Sequence, residues 1–279
     1  MRSSIVLRLG SVAAMAATLS LAVLCCSTPA WSGMLYSGSG NSQLIALDTV
    51  TGLGSVIGPF GAEGVFAGAF SPAGTFYTVI NTYSSGTALA TVDLTTGHAT
   101  PYAPVANKGI DMLQFDHAGT LYASEGAGLY RMDVGTGALT NIGGFGPGVG
   151  SMMDLAVDSH GTMYGVASGT LGGNSQFYSI NTATGAATLL FVVSEPCIMG
   201  LAFDSADKLY GTNYCTGNSP LYSIDLAGHS ISMVGMSGVG NLHGGDIAPV
   251  PEPGSIALTG IALGFAALAG RRRAHNCPR

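Results

Sequence analysis

The sequence predicts an all-β fold, a five-bladed β-propeller closed by its N- and C-terminal strands. It also predicts an N-terminal signal helix and a C-terminal transmembrane helix flanking that fold. Two recurring motifs and the composition carry the prediction. FSPAGTFY, FDHAGTLY, VDSHGTMY and FDSADKLY begin at residues 70, 115, 157 and 203, so successive starts lie 45, 42 and 46 residues apart. A period in the forties built from short strands marks a propeller or a related β-array. The chain holds 43 glycines and only 9% charged residues, which suits many tight turns because glycine reaches positive φ without a Cβ clash. Val, Ile, Thr, Tyr and Phe recur in short runs bounded by Gly, Asn, Asp and Ser, which is a strand pattern.

Residues 1–30 read as a secretory signal. Arg2 and Arg8 supply the positive start, an apolar stretch runs from Ser11 to Cys26, and Ser27, Thr28, Pro29 and Ala30 offer small residues for cleavage, placed here after Ala30. A retained anchor and lipidation at Cys25 or Cys26 are the alternatives. Export implies an oxidising compartment.

Residues 31–250 form the predicted propeller. LDTVTG, VDLTTG, MDVGTG, INTATG and IDLAGH, starting at 47, 92, 132, 180 and 224, each end one strand and begin another. Asp or Asn at the start of such a turn accepts backbone N–H bonds from residues ahead, and the glycine fits a left-handed hairpin position. Each unit therefore reads as four strands, a to d, with the LY segment in strand b. The turn motif has five copies and the first motif four, because the chain enters directly at a strand b, Met34-Leu35-Tyr36. The missing strand a is sought in HGGDIAPV, residues 243–250. Docked beside the first strand it completes a fifth blade and hides the open edges of the ring. A ring of six or seven with one irregular blade is the alternative. Phe70, Phe115, Val157 and Phe203 are expected to be equivalent core positions, as are Tyr36, Tyr77, Tyr122, Tyr164 and Tyr210; recurrence in every blade favours packing over a cofactor role.

Charge is unevenly distributed. Residues 31–253 contain all 15 acidic residues and only Lys108, Arg131 and Lys208 as bases, a balance of 3 − 15 = −12 with His neutral. Such a surface repels phosphate backbones and excludes nucleic acid as a partner; a cation or a neutral polymer such as a glycan stays compatible. The mean hydropathy of +0.41 is raised by the two apolar ends.

Cys197 and Cys215 flank strands a and b of the last full blade, on one face, and are read as a disulfide, with two free buried thiols as the alternative. There is no Cys-x-x-Cys or Cys/His spacing for a metal.

Residues 251–279 leave the repeat. Pro251-Glu252-Pro253 cannot continue a central strand. An apolar run from Ile256 to Ala269 follows, then Arg271, Arg272 and Arg273. This is a short membrane-seeking helix, near the lower length for spanning, with a basic stop that favours the cytoplasmic side. The order VPEPGS (Val250, Pro251, Glu252, Pro253 and on), apolar segment and arginine cluster resembles the PEP-CTERM sorting signal. Six residues, Ala274 to Arg279, follow the arginines, where many members stop sooner. The resemblance implies export across the inner membrane of a Gram-negative bacterium, transient anchoring through the C-terminal helix, recognition by an exosortase and cleavage near Pro-Glu-Pro. It also implies an association with exopolysaccharide or biofilm matrix at the cell surface or outside the cell.

Chemistry is sparser. The face carrying the loops before strand a and between strands b and c is the expected functional face. Its b-to-c loops are short and polar, with Tyr83 and Tyr214 as their only aromatics. Near the starts of strands a lie Asp111, Asp154, His243 and Asp246. If these converge at the channel mouth they form a ligand site, for Ca²⁺ through oxygen ligands or for hydrolysis through an acid pair and a His. Strand alternation opposes this, because Asp154 directly precedes Leu155 whereas Asp111 sits two before Leu113. His117 and His160 belong to a-to-b turns on the opposite face, and Asp116, Asp158 and Asp204 are expected as turn formers. No catalytic residue is assigned, and no nucleophile elbow, P-loop, zincin or calcium-loop motif occurs. The expected function is that of a non-catalytic, exported binding, adhesion or exopolysaccharide-matrix module. The alternatives are an extracellular metal-dependent hydrolase or lyase acting at the channel mouth, and a structural part of the envelope without a soluble ligand.

Overall fold

The computed structural model describes residues 33–65, 67–82, 86–106, 109–168 and 173–249. The expected signal segment with Ala30, Tyr83, Lys108, and the residues from Val250 onwards with the expected transmembrane helix lie outside the described residues. Among the described residues every regular element is a strand.

The strands run in chain order as β1 (Met34–Ser39), β2 (Gln43–Asp48), β3 (Gly54–Pro59), β4 (Ala69–Phe70), β5 (Phe76–Thr82), β6 (Gly86–Val92), β7 (Ala99–Pro104), β8 (Ile110–Phe115), β9 (Leu121–Glu125) and β10 (Gly128–Met132). They continue as β11 (Leu139–Gly144), β12 (Ser151–Val157), β13 (Met163–Ser168), β14 (Asn174–Ile180), β15 (Ala187–Pro196), β16 (Ile198–Phe203), β17 (Leu209–Asn213), β18 (Pro220–Asp225), β19 (Ser230–Met236) and β20 (Leu242–Ile247). They form five four-stranded antiparallel sheets: β20-β1-β2-β3 as blade 1, then β4 to β7, β8 to β11, β12 to β15 and β16 to β19 as blades 2 to 5.

The ring closes through blade 1. β20 pairs with β1, with Leu35 opposite Ile247 and Tyr36 opposite Asp246. Five apolar clusters fill the spaces between blades. One joins Tyr36, Leu44 and Phe60 of blade 1 to Phe70, Phe76 and Ile80 of blade 2. The last joins Ala202, Tyr210 and Leu221 of blade 5 back to Leu35, Ile45 and Ile247 of blade 1. This is an all-β, five-bladed propeller, closed as its repeats predict.

The turn chemistry accounts for the repeats. Asp48 Oδ1 accepts the N–H groups of Val50 and Thr51 at 2.8 and 3.0 Å, and Asp93, Asp133, Asn181 and Asp225 do the same in the other blades. Gly52, Gly97, Gly137 and Gly185 take positive φ in these turns; in the fifth copy His229 takes it instead, at 53°. In the a-to-b turns Asp116, Asp158 and Asp204 each hold the backbone with Oδ1. Their Oδ2 atoms receive the hydroxyls of Tyr122, Tyr164 and Tyr210 at 3.3 to 3.5 Å. The repeated tyrosine therefore packs between blades and ties down its own turn. The inner strand β4 is the shortest: Gly68 lies against the Phe76 ring so closely that a Cβ there would stand 2.4 Å from it, and the preceding segment is held by Thr78 Oγ1 donating to Ala67 O.

Candidate functional site

In every blade the inner strand ends on an apolar residue: Ile247, Phe70, Phe115, Val157 and Phe203 in blades 1 to 5. Each faces the same register position of strand b, namely Leu35, Phe76, Leu121, Met163 and Leu209. All five line a cavity of about 530 Å³ at the a-to-b end of the central channel. The turns around it add Asp116, His117, Ser159 and Asp204. This is the face opposite to the one expected to carry function. The residues that fill contacts between blades also wall the cavity, because the inner strand ends converge there.

One step upstream, opposite the repeated tyrosine, stand Asp246, Ala69, Gln114, Ala156 and Ala202. Three blades use alanine; blades 1 and 3 use polar residues, and both of those line the cavity. Asp246 is 8% exposed. Its Oδ2 accepts the Phe70 N–H at 2.9 Å and its Oδ1 the Ile247 N–H at 2.8 Å. Burial pushes its pKa up to about 7, against the pull of those two N–H groups. Gln114 is 6% exposed. Its Nε2 donates to Phe115 O at 3.1 Å, while its Oε1 is buried without a hydrogen-bond partner.

Asp154 is fully buried in β12. Its Oδ2 accepts the N–H of Leu201, on the next blade, at 2.7 Å. Burial drives its carboxyl well above the usual range, opposed by the Leu201 and Leu155 amides and reinforced by Asp246. An inner strand pairs on one side only, so alternate N–H groups on its channel edge need other partners. Asp154 and Asp246 each supply one to the following blade, a role that strand periodicity alone does not reveal.

The four residues singled out at the strand starts are thus only partly assembled. Of the four, only Asp246 bears on Asp154, adding to the rise of its carboxyl. His243 shares the register row of Asp154, pairing with Gly38 as Asp154 pairs with Val166, and packs edge-on against Tyr214 at 5.5 Å. Asp111 is the extra residue of a bulge between Ile110 and Met112, which turns it off that row; burial and then Glu125 push its carboxyl up. Among the described residues no three His, Cys, Asp or Glu side chains are grouped to hold a metal ion.

Tyr214, in the b-to-c loop of blade 5, is fixed from several sides. Cys197 and Cys215 are joined by a disulfide with Cα atoms 5.6 Å apart. The Tyr214 N–H donates to Cys197 O at 3.0 Å, and Asn241 Nδ2 donates to Tyr214 O at 2.6 Å. On the opposite face His117 Nε2 meets Asp158 O at 2.7 Å, and Ser159 donates through N–H and hydroxyl to Asp207 at 2.7 and 2.6 Å. These contacts link the rim turns of blades 3, 4 and 5.

Residues 37–196 match the family described as "Repeat of unknown function (DUF6923)", and residues 249–273 match the PEP-CTERM protein-sorting motif. No curated protein matches the chain. Among solved structures, a chain of a nidogen/laminin complex aligns with TM-score 0.52 and 14% identity, over 77% of this chain and 97% of that one. A chain from a study of the de novo evolutionary emergence of a symmetrical protein aligns with TM-score 0.51 and 18% identity, over 78% and 99%. At these identities the likeness is one of fold.

Proposed function

The chain belongs to the family of repeats of unknown function (DUF6923), and from that premise we propose that it is a non-catalytic binding module of the cell surface or extracellular matrix. Its PEP-CTERM motif marks it as an exported exosortase substrate. The observation that carries the reading is where the fold stops. The closing strand β20 ends at Ile247 and the sorting motif begins at residue 249. Cleavage near Pro251–Pro253 therefore leaves all five blades intact and delivers a complete propeller.

In this reading residues 1–30 are a signal peptide removed after Ala30, residues 31–250 are the working domain, and residues 251–279 hold the chain in the inner membrane until the exosortase acts. The partner is an exopolysaccharide or another surface glycan. An acidic, low-charge propeller with small polar loops suits a neutral polymer that binds through hydroxyl groups.

Mass spectrometry of the mature protein from the native cell tests the processing. Terminal peptides starting after Ala30 and ending near Pro253 are expected; a product keeping both end segments overturns that part. Retention of the mature protein on the cell's own exopolysaccharide, and its release to the medium when polysaccharide synthesis is deleted, tests the partner. Unchanged surface retention in the deletion strain overturns it.

A further inference from the structure

Among the described residues eight large apolar side chains stand exposed, and five of them belong to one seam of the ring, between blades 5 and 1. Val50, Leu53 and Val56 come from the c-to-d turn and outer strand of blade 1, Met233 and Met236 from the outer strand of blade 5, all between 42% and 83% exposed. The two groups are neighbours: a Cβ on Gly52 would stand 2.8 Å from Gly235, and Gly54 N donates to Ser237 O at 2.8 Å. Residues 230–240 carry no charge, and residues 43–58 carry only Asp48, whose Oδ1 is taken up by its own turn. Single exposed apolar residues are ordinary, but a grouped, uncharged set marks a contact surface.

The place of this patch says what meets it. β20, β1 and β2 are successive strands of blade 1. Leu35 faces Ile247 and Met34 faces Asp48, and Thr49 N donates to Gly33 O at 2.9 Å. At about 4.8 Å between strands, the chain leaves the ring at Pro249 about 10 Å from the turn that carries Val50. Both residues border the same end of the channel. Six residues, Val250 to Ser255, separate Pro249 from the apolar run that starts at Ile256. Fully extended they span about 20 Å, so a membrane that takes up this run lies close to the seam.

We propose that the seam between blades 5 and 1 docks on the lipid bilayer while the chain is still anchored, with Val50, Leu53, Met233 and Met236 in the interfacial layer. The inference rests on the reading of residues 251–279 as a membrane anchor. Methionine suits such a contact because it is flexible and polarisable. The acidic balance of the propeller opposes anionic headgroups, so the surface it meets is zwitterionic. A small apolar insertion gives only marginal, reversible membrane binding; the tether makes it effective by holding the patch at a high local concentration. Docking presents the sorting motif at a fixed height above the bilayer, and cleavage there removes the tether and lets the propeller go.

The test is photolabelling of the exported chain with its tail intact, purified from a strain lacking the exosortase and placed in phosphatidylcholine vesicles that carry a lipid-dissolved diazirine probe. Peptide mass spectrometry reads the label. Leu189 and Val192, on the outer strand of blade 4, are 51% and 45% exposed and serve as the internal control. Label at residues 50–56 and 233–236 is expected at several times the control level. In the double variant Leu53→Glu with Met233→Glu it is expected to fall to that level with circular dichroism unchanged, and the mature protein added to the same vesicles is expected to show no excess. Equal label at seam and control, or no label at the seam of a chain that floats with the vesicles, overturns the docking alone. So does a seam shielded by cross-links to the seam of a second copy. A chain that does not float overturns the anchor reading and the docking with it.

Discussion

Gly58 of β3 lies against the Thr96 carbonyl of the next blade so closely that a Cβ added to it would stand 2.1 Å from that oxygen. The same relationship joins Gly143 to Thr184 and Gly235 to Thr51, again at 2.1 Å. In each case an outer strand of one blade rests on the Thr-Gly turn of the blade that follows. The turn glycine has a second reason to be glycine, since a Cβ on Gly97 would meet Gly58 O at 2.5 Å. The pair Gly235–Thr51 spans the seam between blades 5 and 1, where Gly54 N also donates to Ser237 O at 2.8 Å. Between blades 4 and 5 the device changes: His229 replaces the glycine and stacks on Phe191, 5.1 Å between ring centres.

Gly58→Ala, Gly143→Ala and Gly235→Ala are each expected to destabilise the propeller. Overpacking against fixed backbone costs about 1–3 kcal/mol. Gly74→Ala is the control, because nothing lies within 4 Å of its Cβ position; its cost comes from positive φ alone. Chemical denaturation of the four variants checks this. Seam variant Gly235→Ala no more costly than Gly74→Ala would show that the blades slide apart freely at their outer edges.

The Cys197–Cys215 disulfide spans 18 residues, and a loop of that size stabilises by about 3 kcal/mol on the chain-entropy estimate. Reduction, or the double change Cys197→Ser with Cys215→Ser, is expected to lower the denaturation midpoint accordingly. It is also expected to loosen Tyr214 from His243, since the Tyr214 N–H bonds to Cys197 O. Faster exchange of the Tyr214 amide in the reduced protein is the specific readout; unchanged exchange would mean the Asn241 contact suffices.

Gln114→Leu removes a buried acceptor that has no partner. Leaving such a group unpaired costs about 1–3 kcal/mol, so the leucine variant is expected to melt at a higher temperature than the parent. A lower melting temperature would show that the Nε2 bond to Phe115 O outweighs the orphaned oxygen.

Most of the architecture was legible from repeats. The four LY motifs and five turn motifs, with the chain entering at Met34 in strand b, leave one strand a missing, and β20 is that strand. What the repeats did not show is which polar residues the ring buries and why. Asp154 and Asp246 precede apolar residues and read as strand-start acids; their role depends on N–H groups left open on the neighbouring inner strand, which no local pattern encodes. Alternation sets Asp111 apart from Asp154, and β8 and β12 carry equivalent bulges, in which Asp111 is the extra residue and Asp154 the next one along. The cavity is not legible in the sequence because its wall includes Phe70, Phe115, Val157 and Phe203, residues whose recurrence marks them as core. They are core on one side and cavity wall on the other, and only the convergence of five strand ends distinguishes the two.

The buried acids set the pH response of folding. Asp246 is held at about 7 and Asp154 well above its usual value, so between the ordinary carboxyl range and neutrality the folded chain binds more protons than the unfolded one. Stability then falls as pH rises through that window, by about 1.4 kcal/mol per unit for each such group at most. In the opposite sense, Asp48, Asp93, Asp133 and Asp207 are lowered, chiefly by hydrogen bonds from turn groups; what they contribute is present above the ordinary range and is lost in stronger acid. The two effects together move the stability maximum to the acid side of neutrality. Asp154→Asn keeps an acceptor for the Leu201 N–H and has no proton to lose, so it is expected to raise stability at pH 8, change it little at pH 5 and flatten the slope between. Denaturation midpoints of the parent and Asp154→Asn across pH 4 to 9 check this, and a parent that gains stability from pH 5 to 8 would mean that Asp154 and Asp246 are charged in the folded ring.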